Sequence, residues 1–284
     1  GMKSLVAIYN KTFKGENSEQ PIMANATFEV VEKIVSIEVT TQPSHMQYYY
    51  YTSAATETLA DRTMAFDPTG MVVTATYANG SSKVIDNAKL SFSALPAKTG
   101  SQTVTITAEK GVTATIGITV SKSTVSTVSN STNIVGANDN STAFFGAFSD
   151  DFNVPVGETK YITFTNYSSL ANNWNNFAVI LRKTDITAEY AVVRADNYGW
   201  GNGYAACVHN GTQGDWLTWL AGMNGAKVTV YVTNCGNGTA DVQAVMEGTT
   251  NATSTQYYLG INKVNSNDLN FALTVDGCHL VFNN

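Results

Sequence analysis

The strongest constraint in this chain is a repeated alternation. Ser36-Ile37-Glu38-Val39-Thr40, Val72-Val73-Thr74-Ala75-Thr76-Tyr77, Thr103-Val104-Thr105-Ile106-Thr107 and Ala114-Thr115-Ile116-Gly117-Ile118-Thr119-Val120 mix β-branched and polar residues at a period of two. Successive side chains of a strand face opposite sides, so this pattern predicts half-buried strands. Turn chemistry separates the runs: Asp67-Pro68-Thr69-Gly70, Asn79-Gly80, Lys98-Thr99-Gly100 and Lys110-Gly111. Long helical periodicity is absent, and no apolar run approaches the ~18 residues of a membrane-spanning helix. The expectation is antiparallel all-β structure, most simply a sandwich.

The later half carries a second set of runs. They are Lys160-Tyr161-Ile162-Thr163-Phe164-Thr165, Phe177-Ala178-Val179-Ile180-Leu181-Arg182, Tyr190-Ala191-Val192-Val193-Arg194, Ala226 to Val232, Ala240 to Met246, and Leu269 to Val275. Such strands, over roughly 150 residues, suit a jelly roll or a related sandwich. Asp215 to Met223 reads as a helical turn before Asn224-Gly225.

Composition divides at the same place. Residues 1–122 carry ten Lys/Arg and ten Asp/Glu, net zero, whereas residues 123–284 carry six and twelve, net −6. Asn rises from five to twenty-three across that boundary, and all four Trp and all three Cys lie beyond it. Ser121-Lys122-Ser123-Thr124 has linker chemistry. The expected domains are therefore 33–122 and 123–284, each a β-sandwich. Residues 1–32 stand apart: Ser4 to Tyr9 and Ala26 to Val30 read like the hairpin of Ser101 to Ile106 and Ile116 to Val120. They are expected to be the tail of a preceding unit, or strands recruited by the next one, paired with a neighbouring sheet because an isolated hairpin is marginal. Gly1 ahead of Met2 reads as a cleavage scar, and no signal-peptide anatomy follows it.

A family resemblance enters here. Phe66-Asp67-Pro68-Thr69-Gly70-Met71-Val72-Val73-Thr74-Ala75-Thr76-Tyr77-Ala78-Asn79-Gly80-Ser81 resembles the central motif of bacterial immunoglobulin-like domains. Thr99-Gly100-Ser101-Gln102-Thr103-Val104-Thr105-Ile106 is similar to their penultimate strand, and the resemblance spans roughly 34–121. Tyr48-Tyr49-Tyr50-Tyr51 and the loop to Leu59 depart from the family by their length. The resemblance implies an Ig-like spacer on a secreted or surface-exposed bacterial protein, and no catalysis. The expected order is an Ig-like β-sandwich followed by a jelly-roll-like β-sandwich.

Chemistry-bearing motifs are sparse. The three His are His45, His209 and His279, with no metal-binding spacing among them. Cys207 and His209 would share a strand face, but no motif around them activates a thiol. Asp150, Asp151, Asp196, Asp215, Asp241 and Asp276 offer carboxylates that sequence alone does not pair across a glycosidic bond. With no basic patch, nucleic acid is a poor partner. The expectation is no enzyme activity.

A binding face has more support. Sugars present apolar C–H patches ringed by hydroxyls, which flat aromatic rings and amide, carboxylate or guanidinium groups can grip. Trp174 and Asn176 open one strand; Arg194, Asp196, Asn197, Trp200 and Tyr204 follow another in a Gly-rich stretch; Trp216 and Trp219 supply two more rings. Core packing is the competing reading for these rings, Trp216 and Trp219 being at helical spacing. This half resembles jelly-roll carbohydrate-binding modules. That resemblance implies an oligo- or polysaccharide partner, no required cofactor, and a structural calcium for which Asp150, Asp151 and Asp276 offer oxygen ligands. The expected function is carbohydrate binding by a monomer, with a structural or adhesive surface protein as the alternative.

Overall fold

A computed structural model describes residues 2–9, 22–29, 32–54, 56–57, 59, 61–136, 146–168, 176–195, 208–210, 221–249 and 253–283. The first strands are β1 (Met2–Tyr9), β2 (Ile22–Glu29), β3 (Ile34–Thr41), β4 (Gln47–Tyr50), β5 (Thr63–Met64), β6 (Val72–Tyr77) and β7 (Ser82–Ile85). Next come β8 (Ser91–Phe92), β9 (Leu95–Pro96), β10 (Gly100–Thr107), β11 (Thr113–Lys122), β12 (Thr124–Thr127), β13 (Ile134–Val135) and β14 (Phe152–Asn153). The remainder are β15 (Glu158–Ser168), β16 (Asn176–Arg182), β17 (Glu189–Arg194), β18 (Val208–Asn210), β19 (Ala226–Asn234), β20 (Ala240–Glu247), β21 (Thr253–Ile261), β22 (Asn270–Asp276) and β23 (Cys278–Val281). Two 3-10 turns, Asn87–Lys89 and Glu109–Gly111, and a helical turn at 221–223 are the other regular elements among the described residues. The fold is all-β, as the alternation predicts.

The chain forms two compact units. One comprises Gly1–Gln42, Met71–Ser91 and Ile106–Ala114; the other comprises Pro43–Gly70, Phe92–Thr105 and Thr115–Asn284. In the first, β3, β6 and β7 form a sheet in that order, with Ile37, Val73 and Ala75 buried. β1 and β2 pair antiparallel from Met2↔Glu29 to Tyr9↔Ile22, and the sheet they form holds only these two strands. The pairing with a neighbouring sheet expected of this hairpin is thus not seen among the described residues.

The second unit is built around a two-layer sandwich. One layer runs β13-β23-β15-β19-β20-β21-β18, with β12 also on β15; the other runs β14-β22-β16-β17. Between them Ile162, Phe164, Val228, Val230 and Val242 meet Phe177, Val179, Val193, Phe271 and Leu273 in one buried cluster. The stretch with linker chemistry ends in a strand instead: β12 lies parallel to the start of β15, Thr124 opposite Glu158. Its four residues are all exposed, so they carry no apolar alternation to betray a strand.

The long loop after the tyrosine run has a physical purpose. The backbone N–H of Tyr49 donates to the carbonyl of Cys235 at 2.9 Å, and Tyr51 stacks on Tyr231 at 4.8 Å. Gly157 lies under the Tyr49 ring at φ +77°, where a Cβ would come within 2.8 Å of it. Gln243 Oε1 accepts from Ser53 N–H and Thr56 Oγ1, and Arg62 forms an ion pair with Asp241. All four of these side chains are buried. Through Tyr51, Ser53, Thr56 and Arg62 the stretch reaches β19 and β20 and ends its polar groups on buried partners.

The β16–β17 hairpin stores strain at its tip. Ile186 has φ 55° and is 59% exposed. A β-branched residue is disfavoured in the left-handed region, and its side chain gains little burial in return. Ile186→Gly is expected to raise stability by about 1 kcal/mol, strain relief exceeding the entropy cost of glycine. A higher urea midpoint at unchanged slope would confirm this; a lower midpoint would contradict it.

Candidate functional site

Strand pairing defines one end of the sandwich. Asp276, last in β22, pairs with Asn176, first in β16. Two residues later Cys278 opens β23 opposite Ser168, the last residue of β15. Arg194, last in β17, pairs with Ala178. Ala226, first in β19, pairs with Asn166, and Glu247, last in β20, pairs with Lys227. The start of β16 and the ends of β15, β17, β20 and β22 are therefore gathered together.

Buried amides brace this end. Asn166 is 1% exposed; its Nδ2 donates to the carbonyl of Met223 at 2.9 Å, and its own carbonyl accepts from Gly225 N–H at 2.7 Å. Asn224 Oδ1 accepts from Ser168 N–H at 3.2 Å, and Thr249 N–H donates to the Gly222 carbonyl at 2.9 Å. The turn before β19 is thereby fixed to β15 and to the residues after β20.

The sequence-predicted site residues distribute unevenly. Trp174, Asp196, Asn197, Trp200, Tyr204, Trp216 and Trp219 lie outside the described residues. Asn176 is placed by its backbone at the gathered end. Arg194 is buried, at 6% exposure. Alternation puts it on the sheet face shared with Ala178, Ile180 and Val192, opposite the main core. Arg194 also borders the small internal cavity described below.

The carboxylates chosen for calcium are also partly placed. Both oxygens of Asp151 accept from Arg182, at 2.7 and 2.8 Å, in a bidentate pair. Asp150 is exposed and accepts from Ser131 Oγ at 3.4 Å. Asp276 is placed by its backbone in β22. Among the described residues no three His, Cys, Asp or Glu side chains stand together as a metal cluster. Cys235 is a buried free thiol whose pKa burial drives well upward; Cys278 is also buried, and Cys207 lies outside the described residues.

One buried group escapes sequence reasoning. Gln256 is 2% exposed, and neither its Nε2 nor its Oε1 has a hydrogen-bond partner among the described residues. It borders a cavity of about 10 Å³ with Phe177, Val193, Ala195 and Tyr258, inside the sandwich below the gathered end. That volume suits a single water. The only sequence signal is a Gln at an inward position of β21, a strand whose Thr253-Ser254-Thr255-Gln256 opening hides its core face.

One comparison with known proteins matches part of the chain. Residues 65–120 match the family model of the bacterial Ig-like domain (group 3). Among curated proteins nothing matches. A solved structure of carbohydrate-binding modules from the β-sandwich superfamily, studied for promiscuous specificity, aligns with 88% of this chain and 97% of its own. Its identity is 9% and its TM-score 0.20, too loose a likeness to carry an argument.

Proposed function

We propose that this chain binds saccharides without catalysis, on a secreted or surface-exposed bacterial protein, with its Ig-like residues serving as a spacer. The observation that supports this best is the gathering of strand ends. The residues before Asn176 and the residues after Arg194 continue from paired positions of one sheet, Asn176↔Asp276 and Ala178↔Arg194. Those continuations carry Trp174, Asp196, Asn197, Trp200 and Tyr204 in sequence. In this reading Trp200 and Trp216 stack on sugar faces, Trp174, Trp219 and Tyr204 extend the apolar surface, and Asn176, Asp196 and Asn197 bond hydroxyls. The Ig-like match at 65–120 supports the bacterial-surface part of the reading.

Binding per site is expected to be weak, because hydroxyl contacts largely replace contacts with water. Glycan-array binding followed by titration of intrinsic Trp fluorescence tests the proposal. Trp200→Ala and Trp216→Ala are each expected to weaken binding about tenfold through lost stacking. Unchanged affinity in both variants would remove the site assignment. Retention of a protein partner with no glycan bound would favour the adhesive alternative.

A further inference from the structure

The molecule has a larger cavity, away from the gathered strand ends. It is a groove of about 390 Å³ where residues 45 and 65–69 face the β19–β20 turn and the loop 262–267. That volume lies within the ordinary range of small-ligand sites, about 300–1,000 Å³. Its frame is rigid and polar. Asn237 Nδ2 donates to the Ala65 carbonyl at 2.8 Å and Thr239 Oγ1 donates to Asn237 Oδ1 at 2.6 Å. Gly238 N–H donates to Ser266 Oγ at 3.2 Å, and Val264 N–H to the Gly238 carbonyl at 3.0 Å. The loop and the turn are thereby fastened to each other.

What this frame presents is unspent hydrogen-bonding capacity. Asn262, Lys263 and Asn267 line the groove, and among the described residues no hydrogen bond or ion pair engages their side chains. Lys263 is held at φ 63°, left-handed backbone unusual for a side-chain-bearing residue. Such strain persists only where the surroundings enforce it, as the Val264–Gly238 and Gly238–Ser266 bonds do here. On the facing wall His45 Nδ1 lies 2.9 Å from Asp67 Oδ2, and Asp67 Oδ1 accepts from Thr69 N–H at 3.0 Å. Burial raises the Asp67 pKa, but bonds from Thr69 and His45 outweigh it and leave the carboxyl below its usual range. Half-buried Phe66, tilted against Phe92 at 5.1 Å, adds an apolar edge.

The chemistry of the occupant follows from this lining. One carboxylate bonded to His45 and one ammonium leave no surplus of either sign, which disfavours phosphate-rich or polyanionic ligands. A lone carboxylate is too few for a hard dication, which takes six or more oxygens. Side-chain amides each offer donor and acceptor atoms at fixed spacing, matching neighbouring hydroxyls, and Phe66 can cover a C–H patch. We propose that this groove is a second binding site, for a neutral saccharide, separate from the one at the gathered strand ends.

The test uses the full chain and a panel of neutral hexasaccharides with glucose, xylose, mannose and galactose backbones. His45 supplies a local reporter, because its imidazole NMR signals can be assigned by loss in His45→Gln. In a Trp200→Ala/Trp216→Ala background, at least one hexasaccharide is expected to shift the His45 signals. Adding Asn262→Ala and Asn267→Ala, whose side chains lose no partner among the described residues, is expected to weaken that binding about tenfold. If a panel member binds the wild type, leaves His45 unmoved and ignores the Asn substitutions, the groove proposal is overturned while saccharide binding at the strand ends stands. If the Trp substitutions change nothing and the Asn substitutions abolish binding, the groove stands and the other site falls. No response to any panel member overturns the groove proposal.

Discussion

Asp241→Ala is expected to lower stability by about 3–5 kcal/mol. The side chains of Asp241 and its partner Arg62 are 1% and 6% exposed. Asp241 Oδ1 also accepts from Gly260 N–H at 2.8 Å, so it satisfies both the guanidinium and the β21 backbone. Its removal would leave Arg62 with the Tyr51 carbonyl at 2.7 Å and the Tyr50 ring at 5.8 Å, neither of which neutralises its charge. A lone buried cation is far more costly than a buried pair, so Arg62→Ala should cost about as much through the stranded carboxylate. The double variant Arg62→Met/Asp241→Leu removes both charges and is expected to recover most of the loss. Urea unfolding followed by Trp fluorescence gives the cycle. A cost below about 1 kcal/mol for Asp241→Ala would place the pair in water, in the range of exposed ion pairs.

That pair illustrates what the sequence could and could not disclose. Strands with a clean period of two were legible: β6 spans the residues read for it, and β11, β19 and β20 extend theirs by a few positions. β12 and β21 were not, because one is wholly exposed and the other opens on polar residues. The unusual length of the loop after Tyr51 was visible, but not its docking, since Arg62 and Asp241 are 179 positions apart. Local pattern encodes which face of a strand is apolar; it does not encode which distant polar groups will satisfy one another. The groove was hidden for the same reason. His45, Phe66, Asn237 and Asn262 belong to separate stretches and share no motif. The acids read for calcium show the same limit: adjacency in sequence does not disclose that Asp151 holds Arg182, 31 positions away, at two oxygens.

Phe164→Ala is expected to cost about 3–5 kcal/mol, as large aromatic truncations in closed cores do. Phe164 is 1% exposed on β15 and meets Phe177 edge to face, with ring centroids 5.1 Å apart and planes at 87°. Its other side faces Phe282 at 5.7 Å. Both neighbours are themselves nearly buried, and β-sheet backbone cannot close readily on a missing ring, so most of the volume would remain as a cavity. Phe164→Leu keeps most of the volume and should cost less than about 1.5 kcal/mol. The contrast bears on function because Phe177 directly follows Asn176, the first residue of β16. A cavity beside Phe177 loosens the gathered strand ends, whereas the groove has no lining residue in that contact. Measured well below the melting transition, Phe164→Ala should therefore weaken saccharide binding at the strand ends and leave the His45 reporter's response unchanged. Equal weakening at both sites would mean that Phe164 acts through the stability of the whole sandwich rather than through its nearer end.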